Sequence, residues 1–426
     1  MRVKRPRGTR DFLPPEMEER RYLEAEIREV FESYGYREII TPTFESLELI
    51  TAKSGEEIRE RLYHFKDKSG RELVLRPELT APAMRLYVNQ SQFEPKPVRL
   101  YYLGNCFRYE RPQSGRYREF WQAGIELIGS PYPEAEGEIV AVALDVLRKI
   151  GLNFELHIGH IGILRQILKE SGIMGEEQNV VMSAIDKGGG LEELLDGLGL
   201  VGDDRKRLLD ILALVGSKEE VIERARALLD GLEEATLELS KLEELLRVLE
   251  GYQISPYLLN LGIARGLDYY SGMVFEIYSP KLGAEKQICG GGSYSLAETF
   301  GGKGVPTVGF AFGFDRVHLA LKKDKSGFMP SSRAKCLIVA TGGNLLNDAV
   351  KVSRMLRTNN FCELELTRKT LKKALSYADQ RGFTHVAIVG DEELEVGCVA
   401  LRDMASGEQR KIKLGELTDL KLEVTR

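Results

Sequence analysis

After Pro14-Pro15, apolar side chains recur at Leu23, Ile27, Val30, Phe31 and Tyr34, the spacing of one buried helical face, and Gly35 stands where such a helix would stop. The pattern then changes period. Residues 36–44 are β-rich but broken by Pro42, which removes a ladder donor and predicts an edge or bent strand. Apolar runs at 62–65 and 73–75 flank Lys68-Ser69-Gly70, as in a hairpin. Two longer β-prone runs, 98–109 and 118–128, lie on either side of the polar loop Arg111-Pro112-Gln113-Ser114-Gly115-Arg116 and are expected to pair antiparallel. A helix over 133–150 and a short strand over 154–158 follow. From 175 to about 251 the chain turns into charged amphipathic helices without strand signal, a helical insertion spanning about 172–251. Strand-like runs return at 274–277 and 307–312, ahead of a helix over 314–321.

The stretch 322–333 is polar and carries Gly and Pro, which marks it as a linker. The expected organisation is a first domain over 1–325, a linker at 326–333 and a second domain over 334–426. In the second, short buried-type strands at 336–340, 362–366 and 386–389 alternate with helices at 345–356 and 371–378, which predicts a small α/β domain on a mostly parallel sheet. Composition adds little chemistry: 43% hydrophobic and 29% charged residues describe ordinary globular domains. The net charge of -5 requires any nucleic-acid partner to meet a local basic patch. The five cysteines are widely spaced and form no C-x-x-C pair, so neither a disulfide framework nor a zinc site is expected and a reducing cytoplasm fits. No run is long and apolar enough for a membrane span, and the basic start lacks the apolar core of an export signal.

Several strings bear on chemistry. His157-Ile158-Gly159-His160 resembles the nucleotide-binding signature of class I aminoacyl-tRNA synthetases, but neither the nucleotide-binding Rossmann fold whose first strand-to-helix turn carries it nor its distal lysine loop is found, and a helix-capping turn is the expected reading. No G-x-x-x-x-G-K-[ST] phosphate loop exists. Gly290-Gly291-Gly292, in a β-context, either permits close backbone packing or lets a ligand approach. Arg108, Arg265 and Arg316 each sit among apolar and glycine residues, where a guanidinium is costly to bury unless it meets an anion; three together point to a polyphosphate ligand.

These arginines lie in recognisable strings. Phe107-Arg108-Tyr109-Glu110, its loop and the return strand Phe120-Trp121-Gln122 resemble motif 2 of class II aminoacyl-tRNA synthetases, Gly313-Phe314-Asp315-Arg316 resembles motif 3, and the first helix with Pro42 resembles motif 1, the dimer element. Arg265-Gly266-Leu267-Asp268-Tyr269-Tyr270 and Gly290-Gly291-Gly292-Ser293-Tyr294 resemble the two histidine-specific motifs. Gly8-Thr9-Arg10-Asp11-Phe12 and Arg76-Pro77-Glu78-Leu79-Thr80 resemble further stretches of the histidyl-tRNA synthetases. The resemblance runs from residue 8 to the C-terminus and is weakest in the insertion. It implies an α+β catalytic domain on an antiparallel sheet of class II type, a helical insertion and a C-terminal α/β anticodon-binding domain. One departure stands out: many members continue the glycines with Arg-Tyr-Asp, whereas this chain has Ser293-Tyr294-Ser295, a change at the expected wall of the histidine pocket.

The resemblance further implies ligation of L-histidine to tRNA(His) with ATP, through a histidyl-adenylate, in a cytoplasmic homodimer. Arg108 would hold the α-phosphate and Arg316 the γ-phosphate, with Glu110, Arg116 and Phe120 around adenine and triphosphate and Mg2+ screening the charge; no metal site made of protein ligands is implied. Arg265 would be catalytic, bridging carboxylate and α-phosphate. Glu126 and Tyr270 would read the imidazole, Glu78, Leu79 and Thr80 would surround the α-amino group, Gln122 with Arg108 and Arg265 would meet the carboxylate side, and Tyr269 would wall the pocket. Arg111 and Gln113 would touch the tRNA acceptor end, and Arg368, Lys369, Lys372 and Lys373 the anticodon stem. The alternative is a non-catalytic histidine-binding paralogue of the ATP phosphoribosyltransferase regulatory type.

Overall fold

The computed structural model describes residues 3–54, 56–111, 115–264, 270–324 and 334–424. The chain divides into two compact units, Met1–Phe328 and Met329–Arg426. The predicted first helix is α1 (Pro14–Ser33), with proline in its first turn, where no intrahelical N–H is lost. It buries Leu23, Ile27, Val30 and Phe31 in the main core, each such burial contributing roughly 1.5–3 kcal/mol.

The strand runs of the first unit are β1 (Arg37–Glu38), β2 (Phe44–Ser46), β3 (His64–Lys66), β4 (Glu72–Leu75), β5 (Val98–Phe107), β6 (Glu119–Ile128), β7 (Glu155–His160), β8 (Val215–Gly216), β9 (Leu258–Asn260), β10 (Tyr270–Tyr278), β11 (Gln287–Tyr294) and β12 (Thr307–Gly313). Among the described residues, nine of them form one sheet in the order β1-β5-β6-β12-β11-β10-β7-β9-β8, and β2-β4-β3 form a small second one. The expected β5–β6 and β3–β4 hairpins both form; in the latter, Asp67 accepts from the backbone of Ser69 and Arg71 and Gly70 takes a positive φ. The large sheet is not purely antiparallel. The pairs β1–β5 and β7–β9 run parallel, and β1 is confined to two edge residues ahead of Pro42.

Helices α2 (Leu47–Ser54), α3 (Thr80–Leu86), α4 (Glu134–Lys149) and α5 (Ile161–Glu170) precede the predicted helical stretch, which folds as α6 (Gly175–Lys187), α7 (Leu191–Gly197), α8 (Gly202–Leu212), α9 (Lys218–Leu228) and α10 (Glu233–Gly251). Their apolar faces join the main core rather than making a separate one, and the two-residue β8 between α8 and α9 pairs with β9. α11 (Phe314–Asp324) follows β12 directly.

The second unit holds β13 (Lys335–Ala340), α12 (Leu346–Leu356), β14 (Phe361–Leu364), α13 (Leu371–Gln380), β15 (His385–Val389), β16 (Cys398–Asp403) and β17 (Gln409–Lys413). Its sheet, β14-β13-β15-β16-β17, is mixed rather than mostly parallel: β14, β13 and β15 are parallel, and β16 and β17 add an antiparallel hairpin. Separate apolar clusters fill the two faces, one with α12 and one with α13.

Candidate active site

Strand alternation puts two different surfaces on the large sheet. Tyr101, Ile125 and Phe310 face the α1 and α4 core, whereas Tyr102, Glu126 and Gly309 face the other side, where a cavity of about 470 Å³ opens. Glu78, Thr80, Gln122 and Tyr270 line it, as do Arg108, Glu110, Arg116, Phe120 and Arg316. Nine residues chosen from separate strings therefore meet in one hollow. Glu126 lies just beneath it at 1% exposure. Leu79 does not line the cavity; it is buried at the start of α3 among Ala83, Tyr102 and Cys106. Arg265, Tyr269 and Gln113 fall outside the described residues, as does the expected linker; Arg111 is exposed.

Each charged group has a local reason for its position. β5 ends at Phe107, and the next residue, Arg108, donates from Nε to the carbonyl of Pro77 at 2.9 Å and lies over the Phe120 ring at 5.2 Å. Among the described residues no carboxylate pairs with it, and it lines the cavity. Arg316 sits in the first turn of α11 and donates to the carbonyls of Gly115 (3.2 Å) and Gln287 (2.9 Å). Asp315, one residue earlier, is buried; its carboxylate takes Arg10 at 2.5 Å, Arg20 at 2.6 Å and the backbone N–H of Trp121 at 2.7 Å. That joint fixes the start of α11 against α1 and β6, and sequence reasoning missed it. Glu110 and Arg116 pair at 3.0 Å across the β5–β6 turn.

The amino-acid end is built from buried acids. Glu78 accepts the N–H of Thr80 at 2.5 Å and of Ala81 at 2.8 Å, capping α3, and burial raises its pKa despite these bonds and the nearby Arg108. The buried guanidinium of Arg76 holds this stretch in place by donating to the carbonyls of Thr41 (2.7 Å) and Asn105 (2.8 Å). Glu126 accepts from the hydroxyl of Tyr102 at 2.9 Å and from that of Tyr294; burial pushes its pKa up to about 8, the two phenols only partly offsetting it. The Tyr102 hydroxyl also lies 3.3 Å from that of Thr80. Gly309 stands opposite Glu126 in the ladder, and a Cβ there would fall 1.9 Å from its Oε2, so the acid needs glycine as a neighbour.

Sequence reasoning gave Tyr294 no role, although residues 290, 292 and 294 share one strand face. It also missed Ser183, Asp186 and Lys187 of α6, which line the cavity from the insertion. Gly291 and Gly292 are required by packing: Cβ atoms there would meet Phe310 at 2.4 Å and the Met273 carbonyl at 2.3 Å. The departures Ser293 and Ser295 do not line the cavity. His157 and His160 belong to β7, His160 preceding α5 without a side-chain cap bond. Burial lowers His160 to about 3, and neither ring lines the cavity.

A mostly antiparallel sheet, with an arginine leaving one central strand and another opening the helix after the last strand, both at one cavity, defines the catalytic domain of a class II aminoacyl-tRNA synthetase. The histidyl-tRNA synthetase profile matches residues 8–317 and an anticodon-binding-domain profile matches residues 335–422. The histidine–tRNA ligases of Methanocaldococcus jannaschii and Archaeoglobus fulgidus are each 47% identical to the chain, covering 97% and 98% of it and 98% and 99% of their own lengths. The histidyl-tRNA synthetase structure from a Nostoc species superposes with a TM-score of 0.79 at 26% identity over 98% of both chains. A Bacillus halodurans structure described as an ATP phosphoribosyltransferase regulatory subunit/histidyl-tRNA synthetase gives 0.77 at 28% identity, over 92% of this chain and 99% of that one. The chain belongs to the histidyl-tRNA synthetase family.

Proposed function

We propose that the cavity activates L-histidine with ATP and passes the histidyl group to the 3′ end of tRNA(His). The carrying observation is the junction of two kinds of site in one hollow: a guanidinium, Arg108, that has no carboxylate partner among the described residues, and a buried carboxyl held by two phenols, Glu126. Attack of the histidine carboxylate on the α-phosphate needs no general base, so positioning and charge stabilisation carry the rate. In this reading Arg108 holds the α-phosphate and Arg316 the γ-phosphate, while Glu110, Arg116 and Phe120 receive the rest of ATP. Arg265 bridges carboxylate and phosphate as the catalytic group. Glu126 and Tyr270 take the imidazole, with Glu78, Thr80, Gln122 and Tyr269 around the amino acid. A buried carboxyl and a buried phenol placed to meet the ring nitrogens would select against apolar analogues that cannot hydrogen-bond to them.

Among the described residues no cluster of three His, Cys, Asp or Glu side chains could hold a metal ion. The fit is to magnesium arriving on ATP, with Glu110 and Glu276 of the cavity as hard oxygen donors beside the phosphates, where the ion would neutralise charge. Residues 1–325, with the insertion at about 172–251, make the catalytic domain, residues 326–333 the linker and residues 334–426 the anticodon-binding domain. Arg111 and Gln113 serve the acceptor end, and Arg368, Lys369, Lys372 and Lys373 the anticodon side, of a cytoplasmic homodimer. The near full-length likeness to histidine–tRNA ligases favours this over a silent regulatory subunit. The test is amino-acid-dependent pyrophosphate exchange with a panel of amino acids: histidine alone should support it, and stronger exchange with another amino acid removes the reading.

A further inference from the structure

Behind the cavity, on the sheet face covered by α4, Ser293 is 1% exposed and its hydroxyl donates to Oε1 of Glu136. Glu136 lies in the first turn of α4, is 4% exposed, and also accepts the backbone N–H of Met273. One carboxyl group thereby joins α4, β10 and β11. The strand register gives this joint a purpose. Tyr270 faces Tyr294 and Val274 faces Gly292, so Ser271, Gly272 and Met273 of β10 together lie opposite Ser293 alone. Such a bulge takes backbone groups out of the ladder and re-aims the side chains beside it. Gly272 keeps it compact: a Cβ there would sit 3.2 Å from Cβ of Ser293 and 3.6 Å from the Glu136 oxygen.

The residues re-aimed are the two tyrosines of the cavity. Tyr270 and Tyr294 line it with ring centroids 6.3 Å apart at 87°, and Tyr294 holds Glu126. We propose that Glu136 is a positioning residue for amino-acid selection, fixing the β10 bulge through Ser293 and Met273 and so the placement of Tyr270 and Tyr294. The inference rests on the histidine-binding role proposed for the cavity. Burial pushes the Glu136 carboxyl up to about 7, and no cation pairs with it among the described residues. Around it stand Glu238 and Lys241 of α10, joined to each other at 2.6 Å, His160 of β7, 3.6 Å from Glu238, and Tyr132 ahead of α4. A neutral amide of the same shape therefore avoids a buried charge and keeps one of the two acceptor oxygens.

The test is histidine-dependent pyrophosphate exchange by the full chain, with separate KM values for histidine and ATP. Glu136→Ala should raise the histidine KM roughly 10-fold or more and leave the ATP KM within about 2-fold, the scale of a small misplacement in a site. Glu136→Gln should be impaired less than Glu136→Ala, because its amide keeps one acceptor oxygen. If Glu136→Ala does not fold, Ser293→Ala, which removes one donor only, should fold with a small loss of melting temperature and still raise the histidine KM several-fold. An unchanged histidine KM in the folded variants, equal rises for histidine and ATP, or a glutamine variant as impaired as alanine overturns the inference. A parent protein inactive with histidine would instead overturn the reading of the cavity itself.

Discussion

Glu126 is held as an acid in a place that disfavours its charge, and this has consequences in opposite directions for binding and stability. Its carboxyl is raised from the ordinary 4.5 to about 8, first by burial. Between those values the folded protein keeps a proton that the unfolded chain releases, so this group's contribution to stability falls as pH climbs from about 5 to about 8. Glu126→Gln removes that dependence: melting temperature plotted against pH should be flatter than the parent's across this window, with the largest relative gain at the alkaline end. The same variant should lose histidine-dependent exchange, since the amide cannot accept equally on both sides. Gly309→Ala attacks the same acid sterically, because its Cβ would sit 1.9 Å from Oε2. It should cut histidine activation by roughly 100-fold, the cost of displacing a preorganised group, read as kcat/KM in the exchange assay. At this scale the meeting of Arg108 and Arg316 at one cavity was legible from the short strings that hold them, and Glu126 was reached only through the family resemblance. Tyr294 with its bond to an acid 168 positions away, and Glu136 with a serine 157 away, were not, because nothing local in the chain marks either pair.

Elements declare themselves by how much of their own pattern they carry. β5, β6 and β12 alternate or run apolar over at least seven residues and were visible. β8 has two residues, too few for any period, and β17, Gln409–Lys413, buries only Ile412, so its pairing comes from β16 and not from its own composition. What joins elements is still harder to read, as the Asp315 joint shows. Arg20 is 1% exposed and lies over the rings of Phe12 (4.3 Å) and Phe314 (4.7 Å), so its charge depends on Asp315 for compensation. Asp315→Ala would leave the buried Arg20 guanidinium without its carboxylate partner and should destabilise the protein by roughly 3–5 kcal/mol, measured by denaturant unfolding. Because Arg316 is the next residue, the ATP KM should rise in the fraction that remains folded. Arg20→Met, which removes the buried cation and keeps its apolar contacts, should cost less than Asp315→Ala; equal losses would count against the charge argument.

For the molecule as a whole, a net charge of -5 must be reconciled with a polyanionic partner, and the reconciliation is local. In the second unit Arg368, Lys372 and Lys373 are exposed, while Lys369 is tied to Glu365 at 3.2 Å and lies over the Tyr377 ring at 4.8 Å. Burial works against the charge of Glu365, but hydrogen bonds from Thr367 and Lys369 hold its carboxyl down to about 2, so the acid stays ionised and keeps the loop folded. The loop carries Arg368 at a positive φ of 53°, a conformation few arginines adopt. The patch is therefore two kinds of residue: Lys369 braces the loop, and Arg368, Lys372 and Lys373 are exposed cations. Lys372→Glu combined with Lys373→Glu should raise the KM for tRNA roughly 10-fold and lower the slope of log affinity against log salt by about 2, one per lost phosphate contact. Pyrophosphate exchange, which uses only the first unit's cavity, should be unchanged in the same variant. A parallel loss of exchange would mean that the second unit supports the chemistry and not only the capture of tRNA.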